Sequence, residues 1–66
     1  MGRVAMRDRL RIGQLWCRRR DKLIAAVRQI HRADRCVEMR AVVDGELTHF
    51  RVPFTELSKG WRELGV

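Results

Sequence analysis

The sequence feature that most restricts the fold is the dipeptide Asp44-Gly45, which separates two runs rich in apolar residues. Asp-Gly supplies a positive φ at both central positions of a type I′ turn, whose twist suits a β-hairpin with a two-residue loop. We therefore predict a hairpin over residues 36–52.

A loop of this length also fixes which residues of the hairpin face each other. On one face the pairs are Val43 with Glu46, Ala41 with Thr48, Met39 with Phe50, and Val37 with Val52. On the opposite face they are Val42 with Leu47, Arg40 with His49, and Glu38 with Arg51. Because apolar and charged positions segregate, we expect Met39 and Phe50 to face the core together.

Residues 14–33 permit two interpretations. Leu23, Ala26, Val27 and Ile30 recur at helical spacing behind Asp21, a good N-cap, which favours a helix over about residues 22–33 packed on the hairpin. The same segment also has the pattern of a strand over residues 14–18, a polar turn over 19–22, and a second strand over 23–30.

The C-terminal segment fits the second interpretation. Pro53 ends the last long strand, residues 54–57 suit one tight turn, and residues 61–64 form a short final segment. This order resembles the architecture of small SH3-like barrels over about residues 13–65. We predict an all-β fold, either a small SH3-like barrel or a strongly bent antiparallel meander, with α+β as the alternative. An exposed sheet edge would also permit a homodimer.

Positive charge is concentrated at the N-terminus. Of the chain's net charge of +7, residues 1–20 carry +6, from seven arginines and one aspartate. We assign residues 1–12 to a basic arm that is partly disordered and residues 13–66 to a single small globular domain. A segment of this kind stabilises complexes with polyanions by releasing their counterions, and nucleic acid is the commonest such partner.

The leading function is therefore a small nucleic-acid-binding protein that contacts phosphates through an arginine-rich arm and loop, with a possible regulatory role. An exposed Trp16 would add a surface on which unpaired bases stack, whereas the other possibility is a core position, because a domain with only four aromatic residues needs most of them in its core. The alternative is a protein-interaction module or inhibitor that docks on an acidic partner protein. The predicted binding residues are Arg3, Arg7, Arg9, Arg11, Trp16, Arg18, Arg19 and Arg20.

No motif for catalysis, metal binding or a cofactor is present. Cys17, His31, Cys36 and His49 lack the spacing of familiar zinc sites, so we expect buried thiols and surface imidazoles. No nucleophile has a base beside it, and no glycine-rich phosphate loop occurs. We therefore expect a non-enzymatic protein without cofactors. No apolar stretch is long enough to span a bilayer, so we expect a cytoplasmic protein with no membrane partner.

Overall fold

The computed structural model describes residues 10–65. Over this range the chain forms an antiparallel sheet and one short helix. The elements are β1 (Leu15–Arg18), β2 (Ile24–His31), β3 (Cys36–Val43), β4 (Glu46–Pro53), α1 (Phe54–Gly60) and β5 (Trp61–Gly65). The predicted all-β fold is confirmed.

The sheet has the strand order β4-β3-β2-β1-β5, so β4 and β5 lie at its two ends. The rings of Phe50 on β4 and Trp61 on β5 nevertheless stack with their centroids 6.0 Å apart. Contact between the end strands requires the sheet to curl, and a register shift in β2 between Val27 and Gln29 adds local bending. This is the strongly bent antiparallel meander that the sequence predicts.

The hairpin of β3 and β4 forms in the predicted register at every pair from Val37 with Val52 to Val43 with Glu46. Asp44 and Gly45 adopt φ values of 53° and 81°, the two positive values that a type I′ turn requires. Met39 is fully buried and Phe50 is half-buried against the core, as expected.

Residues 24–31 form strand β2, and the helix considered for about residues 22–33 does not form. Extended backbone lets β2 pair with β1 on one side and β3 on the other, and it buries Ala25 and Val27 on the same face. Lys22 has a φ of 64°, which is incompatible with the first turn of a right-handed helix at that position.

The core lies inside the curl of the sheet and is closed by α1, whose Leu57 is fully buried. The helix extends over Phe54–Gly60, beyond the single turn predicted for residues 54–57. Leu10 is also buried, so packing begins before Gly13, where we placed the start of the domain. The buried apolar cluster comprises Leu10, Trp16, Ala25, Val27, Val37, Met39, Ala41, Val52, Leu57 and Trp61.

Candidate functional site

The β1–β2 loop, residues 19–23, is a tight turn closed by backbone hydrogen bonds. The amide of Lys22 donates to the carbonyl of Arg18, and the amide of Arg18 donates to the carbonyl of Leu23, both at 2.7 Å. The amide of Arg19 donates to the carbonyl of Gly60 at 2.8 Å, which ties the loop to the end of α1. Main-chain hydrogen bonds therefore help to fix where this loop lies.

Arg18 is the last residue of β1 and is held by contacts within the protein. Its Nε and Nη2 atoms donate to the two carboxylate oxygens of Asp21 at 2.9 and 2.7 Å. Its guanidinium carbon also lies 5.7 Å from the ring centroid of Trp61, within the range of a cation–π contact. Arg18 thus orients the loop and is already paired.

The same pair shifts the ionisation of both groups. The hydrogen bond from Arg18 lowers the pKa of Asp21 from 3.8 to about 2, and the amide of Leu23 contributes by donating to the same carboxylate. The hydrogen bond to Asp21 raises the pKa of Arg18, and the negative charge of Glu56 acts in the same direction. At neutral pH both members of the pair are therefore charged.

Arg19 and Arg20 are exposed in the turn itself. Within residues 10–65, no carboxylate lies within ion-pair distance of either guanidinium. Lys59, in the last turn of α1, is also exposed and lies beside them. Together these groups border an open depression of about 370 Å³, which we call the cationic depression. Its lining residues are Arg18, Arg19, Arg20, Glu56, Lys59 and Gly60.

Trp16 does not belong to this surface. Its side chain is 3% exposed, and its indole N–H donates to the side-chain oxygen of Gln14 at 3.0 Å. The side-chain Nε2 of Gln14 in turn donates to the carboxylate of Glu63 at 2.7 Å, which links the residue before β1 to β5. Base stacking requires an exposed ring face, so a buried Trp16 cannot take that role in this conformation.

The structure brings together only part of the predicted arginine set. Arg18, Arg19 and Arg20 line one depression, and Arg11 is exposed. Arg3, Arg7 and Arg9 lie outside the described residues, as does most of the predicted arm.

Sequence reasoning missed Lys59 and Glu56, which contribute opposite charges to the cationic depression. Their proximity to the arginines depends on the pairing of β5 with β1, in which Trp61 lies opposite Arg18. No local pattern indicates a contact over so long a stretch of chain. The sequence does predict the final strand. Only its pairing with β1 places Glu56 and Lys59, which precede that strand, beside the arginines.

A second polar cluster lies on the outer face of the sheet. The carboxylate of Glu38 lies between His31 Nε2 at 3.9 Å and His49 Nδ1 at 3.7 Å. Among residues 10–65, no group of three His, Cys, Asp or Glu side chains is arranged to hold a metal ion. Cys17 and Cys36 are both buried free thiols.

Comparison with known proteins gives no relative: no family model, no curated protein and no solved structure matches the chain. In the part of the chain that the structure describes, no helix has the length and apolar character needed to cross a membrane.

Proposed function

We propose that this chain is a small, non-enzymatic nucleic-acid-binding protein that contacts phosphates through Arg19 and Arg20. The observation that carries the proposal is the exposure of these two guanidinium groups beside Lys59, with no ion pair to a carboxylate within 4 Å among residues 10–65. Arginine suits this role because its planar fork donates two parallel hydrogen bonds to phosphate oxygens.

The fixed position of the loop supports the proposal. Backbone bonds to Leu23 and Gly60 and the paired Arg18 hold the turn before any ligand arrives. A preordered loop loses little conformational entropy on binding, so more of the interaction energy with phosphate is retained.

The charge of the whole chain supports it further. A net charge of +7 attracts polyanions over long range and accelerates their association with the protein. Salt weakens this attraction by screening the charges. Nucleic acid and free cysteine thiols such as Cys17 and Cys36 both occur in the cytoplasm, so a cytoplasmic location forms part of the proposal.

The test is a salt titration of binding to a short DNA duplex by the wild type and by the double variant Arg19→Ala/Arg20→Ala. Each neutralised phosphate contributes about −0.9 to the slope of log affinity against log salt concentration, so the variant should lose about two units of slope. Arg18 is left in place because its contacts with Asp21 and Trp61 hold the loop.

The matched control is Arg28→Ala/Arg51→Ala, which removes the same charge from two exposed positions on β2 and β4. We expect this control to bind duplex with nearly the wild-type slope. Equal losses in the two double variants would show that net charge alone drives binding, and unchanged binding by the loop variant would contradict the proposed site.

One observation favours the alternative, a module that docks on an acidic partner protein. Val42 and Leu47 face each other across the β3–β4 hairpin and are 62% and 58% exposed, and Ile24 is 53% exposed. Exposed aliphatic side chains of this kind suit protein contacts better than phosphate contacts. For this function we expect no nucleic-acid complex at physiological salt in the same titration. A homodimer through a sheet edge is compatible with either function and would double the cationic surface.

A further inference from the structure

The aromatic side chains of this protein are all committed to the core. The chain has two tryptophans, two phenylalanines and no tyrosine, and all four rings fall within the described residues. Trp16 and Trp61 are 3% and 2% exposed, while Phe50 and Phe54 are half-buried and pack against the core. Proteins that bind single strands without sequence preference stack the bases on exposed aromatic rings. Among the described residues no aromatic ring is fully exposed, so none presents a wide, open face for stacking.

The shape of the cationic depression limits which part of a nucleic acid it can reach. Base edges in a double helix are read by an element that enters a groove, such as a helix or a two-stranded ribbon. Arg19, Arg20 and Lys59 instead border an open concave surface between a tight turn and the end of α1. A concave surface fits over the outside of a strand, where the phosphates lie.

The rigidity of the loop favours a ligand that is itself rigid. A double helix is stiff over about 150 base pairs and therefore presents its phosphates at fixed positions. A single strand must first be ordered along the protein, and base stacking normally offsets that cost. Since no aromatic ring is fully exposed here, a single strand gains less from base stacking to offset the cost of its ordering.

Resting on the proposed nucleic-acid-binding function, we infer that the ligand is double-helical nucleic acid, bound through its phosphate backbone without regard to sequence. DNA and RNA duplexes share this backbone chemistry. They differ in groove width, and the affinities for the two duplexes identify which geometry the depression fits.

Fluorescence anisotropy on the full chain tests the inference with five labelled probes: a DNA duplex, a second DNA duplex of unrelated sequence, the matching RNA duplex, and one unpaired strand each of DNA and RNA. We expect whichever duplex type, DNA or RNA, binds more tightly to bind at least about tenfold more tightly than the unpaired strand of the same nucleic acid. A factor of about ten corresponds to the loss of one base–aromatic stack, which a single strand would lack on this protein. The two DNA duplexes should bind equally. The variant Arg19→Ala/Arg20→Ala should lose most of the difference between duplex and strand.

The possible failures are distinguishable. A single strand that binds as tightly as the duplex overturns this inference and leaves the nucleic-acid function intact. A clear preference for one of the two DNA duplexes also overturns it, because backbone contacts alone carry no sequence information. If no probe binds at physiological salt, the proposed function fails, and the inference fails with it.

Discussion

Arg18 and Asp21 show how one residue of an arginine run takes a different role from its neighbours. The sequence predicts Arg18, Arg19 and Arg20 to form one exposed set. In the structure, Arg18 donates two hydrogen bonds to Asp21, whereas Arg19 and Arg20 remain exposed. The sequence pattern indicated Asp21 as a helix N-cap, whereas in the observed turn its carboxylate is the partner of Arg18.

The depressed pKa of Asp21 makes folding stability depend on pH at the acidic end. The folded pKa is about 2 and the ordinary value is 3.8, so the unfolded chain binds a proton at this carboxyl more readily. The stabilising contribution is therefore present above about pH 4 and is lost as the pH falls towards about 2. We expect the melting temperature of the wild type to exceed that of Asp21→Asn at neutral pH, and the difference to shrink across this range.

Thermal melting monitored by circular dichroism, at a series of pH values, provides the measurement. Asp34→Asn is the control, because Asp34 is exposed in the β2–β3 turn and makes no ion pair among the described residues. A difference between wild type and Asp21→Asn that stays constant with pH would contradict the assignment.

At the scale of elements, the hairpin of β3 and β4 was the most predictable part of the fold. A two-residue turn specifies every pair of the hairpin once its central residues are recognised, and all the information lies within residues 36–52. The segment over residues 14–33 was ambiguous because its apolar spacing suits helix and strand alike. The strand conformation of β2 is stabilised by its pairing with β1 on one side and with β3 on the other, and the apolar spacing alone does not reveal these partners.

The turn gives a prediction that compares two glycines. Gly45 has a φ of +81°, and a Cβ there would meet nothing within 4 Å, so Gly45→Ala should destabilise only through backbone strain, by about 1 to 2 kcal/mol. Gly60 has no positive φ, and a Cβ would lie 3.8 Å from Glu56 Cγ, an ordinary contact. Gly60→Ala should therefore be neutral or stabilise by about 0.4 to 1 kcal/mol.

Urea denaturation of both variants measures the free energy of unfolding, and the slope of each transition shows whether folding remains two-state. Similar effects at the two glycines would indicate that the turn is not of type I′.

At the scale of the whole molecule, contact between the two end strands is what turns a flat meander into a curled domain. Phe50 on β4 stacks on Trp61 on β5, with an angle of 28° between the rings. The sequence placed Phe50 in the core by its hairpin register, but it assigned no partner to that ring. The sequence left Trp16 open between a core position and an exposed one, and it did not predict that Leu10 is buried, because the burial of both depends on contacts between distant parts of the chain.

Replacing Phe50 by alanine should therefore weaken closure of the sheet as well as local packing. Because the ring is half-buried, we expect a loss near the lower end of the range for phenylalanine, about 3 kcal/mol. Leu47→Ala on the same strand is the control, since Leu47 is 58% exposed and should change stability by no more than about 0.5 kcal/mol. Chemical denaturation followed by tryptophan fluorescence reports both, and an equal effect at the two positions would contradict the packing described.

The hydrogen bond from the amide of Arg19 to the carbonyl of Gly60 has a consequence for how this fold can diversify. Main-chain atoms make that bond, so most side chains at positions 19 and 20 are compatible with the same loop path. The two positions can change chemistry while the strands beneath them keep their pairing. A library of variants randomised at these two positions should therefore remain largely folded while its members bind different ligands. The turn is thus a suitable site for engineering new binding specificity in a very small domain.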